Sequence, residues 1–462
     1  MPRRSFQLAL ILSAFTLTAT VRAETFPRPA VLEPQVKFWR SIFSEYSKYQ
    51  VVLHDAVDLD KVYKVLDFRP YVDQGMTEGE VERLLRAETA YELERVRTTL
   101  RWLQENGGDP GSLGAEERHV YDLYRNDESP YRFLEAAGDK RLHSQRGLRE
   151  KFMEGLRVGR HFFPDMERIF REEGLPPELT RLPLIESCFN LNAYSKVGAA
   201  GIWQFMPTTG RHFMMEVNAV VDERRDPLAS TRAAARFLSQ MHDDLNSWPL
   251  AITGWNHGPD GVYRAAREVG TSDIGTIVRR YHGPSFGFAS RNFYAEFLAA
   301  LDVDRETGRL EGAPVTQLLR SRQHRLDRSV GIEVAARLAG TDRDTIAELN
   351  PALMGPVVAG HRPIPRGYHL RVPGGSSQFE TRIAELSAEE QVTRVSAVEY
   401  PRRGRMGART ATAQTHRVKS GQTLSHIAKR YKVSVASLRN ANGLGKKKTI
   451  KPGQVIRIPR KA

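Results

Sequence analysis

Residues Leu179 to Gly210 read LTRLPLIESCFNLNAYSKVGAAGIWQFMPTTG, and the rest of the chain takes its meaning from this stretch. Its first half holds one carboxylate, Glu186, among Leu182, Leu184, Ile185, Cys188 and Phe189. Pro176 and Pro177 precede the run, and proline is tolerated in a first helical turn, so the pattern predicts a helix opened there. A carboxyl group held against apolar neighbours loses solvation, which disfavours its charged form. Such a group keeps its proton near neutral pH and has the character of a general acid, which cleavage of a glycosidic bond requires. A solvated helix position is the commonest place for a glutamate, but apolar flanks on both sides argue against it here. In the second half Gly198, Ala199, Ala200 and Gly201 allow close backbone approach, and Ser195 and Gln204 bring polar groups suited to a sugar.

Three runs stand in order: Glu186-Ser187, then Ser195-x-x-Gly198-Ala199-x-Gly201, then Gly201-Ile202-Trp203-Gln204-Phe205-Met206-Pro207. Together they resemble the ordered motifs of the lytic murein transglycosylases, in the variety called membrane-bound D. The resemblance implies a mostly α fold, with a lysozyme-like α+β catalytic domain over residues 146–312. It makes Glu186 the catalytic residue and Ser195, Gln204 and Asn256 substrate-binding residues. It implies peptidoglycan glycan strands as the partner, and neither a metal nor an organic cofactor.

Two places depart from the family pattern. Its third motif is Ala-Tyr-Asn; here Gly254-Trp255-Asn256 keeps the asparagine and replaces the tyrosine. His257, next in line, is expected to be structural. The fourth motif is a tyrosine on a late helix, and the alignment puts Phe293 there with Tyr294 one place on. One residue turns a helical side chain by about 100°, so Tyr294 does not inherit the role.

The motifs supply one carboxylate where ordinary glycosidases use two, spaced ~5–5.5 Å for retention and ~6.5–9.5 Å for inversion. Asp222, Glu223 and Asp226 lie near in sequence but have the pattern of a turn and a helix cap. In the reaction the resemblance implies, Glu186 protonates the oxygen between N-acetylmuramic acid and N-acetylglucosamine, then takes the proton of the muramoyl 6-hydroxyl as that oxygen closes on C1. A goose-type lysozyme-like hydrolase would need a second carboxylate facing Glu186. A non-catalytic wall-binding scaffold is the third alternative, and the joint retention of Glu186, Ser195, Gln204 and Asn256 argues against it.

Residues 1–23 carry Arg3 and Arg4, an apolar run from Phe6 to Leu17, and Val21-Arg22-Ala23, the pattern of a cleaved secretory signal. Export to the periplasm and cell envelope is therefore expected. The one cysteine, Cys188, is far from that cleavage site, so a lipid anchor is not supported and no intramolecular disulfide can form. Cys188 is read as a small buried hydrophobe rather than a nucleophile.

Net charge is +14, but residues 401–462 hold 17 Lys and Arg and no Asp or Glu, so the body is near neutral and the tail is basic. A polyanion suits such a tail. For an exported chain that means wall peptides with free carboxylates and anionic lipid head groups at the envelope membrane rather than nucleic acid; wall-remodelling proteins are further candidate partners.

Residues 24–145 have amphipathic helical spacing (Phe38, Trp39, Ile42, Phe43, Tyr46), a Thr77-Glu78-Gly79-Glu80 capping box, and short strand-like runs at Val51–His54 and Val62–Leu66. This predicts a mainly helical module packed on the catalytic domain; a metal cluster of His54, Asp55, Asp58 and Asp60 is a weak alternative. The C-terminal third repeats itself. His324-Arg325-Leu326 matches His416-Arg417-Val418, Ile346 matches Leu438, Asn350 matches Asn442, and GYHLRVP (Gly367–Pro373) matches GQVIRIP (Gly453–Pro459). The copy at 415–460 resembles a βααβ LysM domain, a fold that binds N-acetylglucosamine polymers. The copy at 318–374 has Ser329-Val330-Gly331 where the turn should be, and is expected to be degenerate and kept for packing. Residues 375–414 have the composition of a linker, with one short helix near Glu380 to Glu390.

Overall fold

The computed structural model describes residues 25–106, 109–308, 321–374, 378–385, 415–418, 422–431, 435–442 and 454–458, with single positions 433, 444 and 450. The expected signal at 1–23 and most of the expected linker lie outside them. The chain divides into two compact units, Met1–Val395 and Ser396–Ala462, and the described residues are mostly helical.

In the first unit the helix Arg149–Glu172 buries Phe152, Leu156, Phe162, Phe163, Met166, Ile169 and Phe170 along one stripe, which is the spacing of an amphipathic helix. That stripe joins one core with the helices Pro227–Leu245, Trp248–His257 and Phe288–Glu306. The expected module over 24–145 is split between two cores. Leu32, Val36, Trp39, Ile42 and Phe43 belong to the main core, because the helix Glu33–Ser44 packs along the late helix Phe288–Glu306. The remainder forms a second core around an antiparallel three-stranded sheet, in which Gln50–Asp55 lies between Val62–Asp67 and Leu142–Arg146. The 29-residue helix Glu78–Asn106 covers it. The capping box forms: Thr77 N–H donates to the Glu80 carboxylate (2.9 Å), and Glu80 N–H to Thr77 Oγ1 (3.4 Å).

The proposed metal cluster is something else. Asp55 is fully buried and accepts from Arg141 Nε (2.9 Å) and Tyr124 Oη (2.7 Å), with Tyr63 and Tyr124 hydroxyls 2.5 Å apart. The arginine and the hydroxyls satisfy the carboxylate, as a buried charge requires. Among the described residues no three His, Cys, Asp or Glu side chains could hold a metal.

The first repeat forms strand Ser321–Arg325, helices Ile332–Ala339 and Arg343–Leu349, and strand His369–Pro373 antiparallel to the first. It packs on the helical body: Val220 and Val221 join its core, and buried Arg371 pairs with Asp226. The helix Phe379–Ala384 adds Phe379 and Ile383 to the same core.

The second unit repeats the order, with Thr415–Arg417 antiparallel to Val455–Arg457 and helices Leu424–Tyr431 and Val435–Ala441 between. Equivalent residues do equivalent work. Ile346 and Leu438 are each fully buried, while Asn350 Nδ2 donates to Ile346 O and Asn442 Nδ2 to Leu438 O, both at 2.8 Å.

No helix among the described residues is long and apolar enough to cross a membrane.

Candidate active site

The stretch around Glu186 is shorter in helix than its pattern predicts. Pro177–Arg181 is a 3-10 turn, and the α-helix runs only from Leu182 to Ser187. Cys188 and Phe189 then take φ of +48° and +52°, a left-handed conformation that L-residues seldom adopt. Cys188 is thus a helix cap rather than a helix residue, and its thiol is pushed up by burial. The two turned residues fit because Gly155 and Gly159 stand opposite. A Cβ at Gly155 would lie 2.3 Å from Cys188 O, and one at Gly159 3.1 Å from the Phe189 ring. Absent side chains on one helix therefore set the depth of the glutamate helix.

The glycine-rich loop is clamped from beneath. Arg224, 2% exposed, donates from Nη1 to Gly198 O (2.7 Å) and Phe205 O (2.9 Å). Its Nε and Nη2 grip Asp222 (2.8 and 2.7 Å), so the charge is compensated in a two-pronged pair. Single bridges Tyr194↔Ala200 and Ala200↔Phe205 complete the loop. Ser187 Oγ donates to Ile202 O (2.9 Å), which ties the glutamate helix to the loop. Asp222 and Asp226 are caps, as their pattern predicts: Asp222 accepts from Arg224 N–H, and Asp226 from Leu228 and Ala229 N–H. Burial works against the Asp226 carboxylate, but Arg371 and the cap bonds hold its pKa below the ordinary value.

Glu186 is partly accessible to solvent and has no cationic partner among the described residues. Its carboxyl is pushed up to about 8 by loss of solvation, and a hydrogen bond from the Trp255 side chain works the other way. Trp255 is the residue that departs from the expected tyrosine. It packs against Trp203, Phe205 and Phe237 with ring centroids 5.2–5.4 Å apart, so the wall beside the acid is aromatic. Ser195 and Gln204 both lie on the clamped loop. Ser195 Oγ accepts from Ala199 N–H (2.8 Å), leaving its own proton for another acceptor. Gln204, at φ +49°, donates Nε2 to Gly201 O (2.8 Å), and its Oε1 bonds to no described residue. Asn256 is exposed, and its Oδ1 accepts from Ser290 Oγ (3.0 Å). That hydroxyl has only one proton to give, so it accepts from His257 Nδ1 (3.2 Å), which fixes the imidazole tautomer. His257 positions Asn256 through Ser290, and the Asn256 amide N–H₂ faces outward as donor.

On the late helix Phe293 is buried in the core, and Tyr294 Oη donates to Pro27 O (2.8 Å), away from the glutamate. The same helix brings a group that sequence reasoning missed. Glu296 forms no ion pair among the described residues, and its carboxyl is pushed up to about 8, by burial first and by the nearby Glu186 charge second. The signal was present: like Glu186, it is one carboxylate in an apolar run, Phe293 to Leu301.

Comparison with known proteins bears on this arrangement. Residues 167–278 match the transglycosylase SLT domain, and residues 416–459 match the LysM domain. Membrane-bound lytic murein transglycosylase D of Escherichia coli K12 is 28% identical over 299 residues, which is 62% of this chain and 61% of that protein. The chain thus spans about three-fifths of that relative's length. A putative tributyltin chloride resistance protein of Alteromonas is 38% identical over 99 residues, covering 21% of this chain and 48% of that one. Among solved structures, a lytic transglycosylase Slt mutant from Pseudomonas aeruginosa aligns at TM-score 0.27 and 20% identity, over 46% of this chain and 36% of its own. The chain carries an SLT domain that contains Glu186, Ser195, Gln204 and Asn256, and a LysM domain near its C-terminus.

Proposed function

We propose that this chain is an exported peptidoglycan lytic transglycosylase. It cleaves the β-1,4 bond from N-acetylmuramic acid to N-acetylglucosamine and leaves 1,6-anhydromuramoyl ends. The observation that carries this reading is Glu186, a carboxyl with no ion-pair partner among the described residues, kept protonated by burial beside an aromatic wall and lying within the SLT match. The carboxyl gives its proton to the glycosidic oxygen as the bond to C1 breaks. The resulting carboxylate then takes the proton of the muramoyl 6-hydroxyl while that oxygen bonds to C1. Glu186 ends the cycle protonated, and no water is consumed. The nucleophile is part of the substrate, so the attack is intramolecular and carries a large entropic advantage. Ser195 places the acetamido group or the attacking hydroxyl, and Gln204 and Asn256 bind sugar. The LysM domain holds the enzyme on its polymer in the periplasm, and the basic tail adds contact with wall carboxylates or the envelope membrane.

Glu296 favours a second reading, a lysozyme-like hydrolase with two carboxyls. Activating a water requires the second group to be ionised, whereas burial and the Glu186 charge both make Glu296 hold its proton. The pair titrates as a unit, and the charge of Glu186 falls on Glu296, which holds its proton the longer. Glu296→Gln keeps a neutral neighbour beside Glu186, whose own pKa is raised by loss of solvation. The alkaline limb of the rate profile, near pH 8 in the wild type, therefore stays in place in the variant while activity at pH 5–6 is retained. A kcat/KM profile of both proteins checks this. Total loss of activity at every pH would instead make Glu296 the hydrolytic base.

The two-unit division gives a separate expectation for the LysM domain. A chain ending at Val395 should lose roughly ten-fold or more in retention on insoluble murein, since tethering sets the local substrate concentration, with turnover of soluble glycan fragments unchanged. Co-sedimentation and turnover assays check both halves.

A further inference from the structure

We propose that the cavity between the three-stranded sheet and the start of the late helix binds a peptide with a free carboxylate. On the glycan, this peptide is the stem attached to muramic acid. The assignment of the stem rests on the reading given above; peptide binding itself does not.

The cavity holds about 860 Å³ and Glu186 does not line it. One wall comes from the sheet module (Val57, Leu142, His143), the other from the helical body (Arg279, Phe288, Asn292). Its charges do not balance. Arg279 and Lys140 are exposed and form no ion pair among the described residues. Arg291 is partly buried, with Nη1 and Nη2 spent on Val278 O (2.5 Å) and Tyr281 O (2.6 Å), and forms no ion pair among the described residues. Of the acids on the rim, Asp58 is held by Lys61 and Arg141, and Asp139 by Arg97, which leaves Asp60. Burial lowers the pKa of His143, which therefore adds no charge to the wall. An anion is attracted.

A second observation narrows the chemistry. Asn292 is 2% exposed, donates Nδ2 to Phe288 O (2.9 Å), and has an Oδ1 with no hydrogen-bond partner among the described residues. Buried acceptors are almost always satisfied, and only an N–H or O–H can satisfy this one. A peptide brings a carboxylate for the cations and an amide N–H that Asn292 Oδ1 accepts once its side chain turns toward the cavity that it lines. Val57 and Phe288 offer apolar surface to its side chains. The cavity also adjoins the candidate active site. Phe286, on its wall, contacts the His257 ring at 5.0 Å, and His257 bonds Ser290, which bonds Asn256. Asn292 and Glu296 share one helix face, about one 5.4 Å turn apart.

The test uses the full chain, a tetrapeptide released from murein by an amidase, and the same peptide with its carboxylates amidated. Calorimetry should show binding of the first and roughly ten-fold weaker binding of the second, the scale of a charge-assisted hydrogen bond. The double variant Arg279→Glu, Lys140→Glu should lose at least as much. Gly287→Phe fills the cavity, since a Cβ there meets nothing within 4 Å, and should abolish binding; melting curves matching the wild type confirm that each variant folds. Equal affinity for the two peptides, unchanged affinity in the variants, or no binding by the wild type overturns the proposal. In a parallel assay the charge variant should raise KM on peptide-bearing glycan only, with kcat unchanged and peptide-stripped glycan unaffected. A wild type that binds the peptide but turns over neither glycan removes the glycan-cleaving reading and leaves the site standing. One that turns over both alike without binding peptide removes the site and leaves the reading.

Discussion

Glu186→Gln lowers turnover of purified murein by roughly 10³-fold or more, because one side chain serves as acid in the first half of the reaction and as base in the second, and each role is worth ~10²–10⁴. Glutamine keeps the shape of the site and can still accept from Trp255, so murein binding should persist while product release stops. The same substitution should stabilise the fold, and the pH dependence gives the cause. The folded-state carboxyl titrates at about 8 against 4.5 for the unfolded chain. Its contribution to stability is therefore fully present below about pH 4.5 and is lost as pH rises through 8. Glutamine never ionises, so the variant escapes that loss. Wild type and variant should melt together near pH 4.5, and the variant should be more stable by on the order of 4 kcal/mol near pH 8. Paired thermal melts at the two pH values check the sign; a variant less stable at pH 8 would mean that Glu186 is held as a carboxylate.

Gly201→Ala is expected to be the most damaging single change in the loop. A Cβ there would stand 1.7 Å from Arg224 O, and the residue sits at φ +75°. The carbonyl cannot retreat, because Arg224 is fixed through Asp222, Gly198 and Phe205. Backbone strain and overlap together exceed about 3 kcal/mol, and relief requires the loop carrying Ser195 and Gln204 to lift away. Loss of at least about 10²-fold in kcat/KM should accompany a lower melting temperature. Gly198→Ala is the control: φ is +94°, yet nothing lies within 4 Å of a Cβ, so it carries only the conformational cost of about 1 kcal/mol. Equal effects from the two would show that the close approach at Gly201 does not matter.

How much of this was legible in the sequence depends on how far apart the partners lie. Glu186 declared itself because its flanks are its own neighbours in the chain. Local patterns gave the Thr77 capping box, the Asp226 cap and the repeat. What each residue meets across the fold was not legible. Asp226 as a cap follows from the proline after it, but its pairing with Arg371, 145 residues on, depends on how the repeat packs. The helix Glu33–Ser44 has an amphipathic face that any core could have taken, and the late helix takes it. Glu296 had the same local signature as Glu186, yet a carboxylate in an apolar run does not reveal which second charge it will feel. Trp255 was seen as a departure from a motif; that its side chain bonds to Glu186 needed two segments about 70 residues apart to be placed side by side.

The most direct test of the account is the chemistry of the new glycan ends. Purified murein digested with the wild-type protein, and the released fragments weighed by mass spectrometry, should give muramoyl ends lighter than reducing ends by one water, the mark of attack by the substrate's own 6-hydroxyl. Reducing ends in their place would contradict the account, and would require a water-activating base that Glu296, held protonated, does not supply.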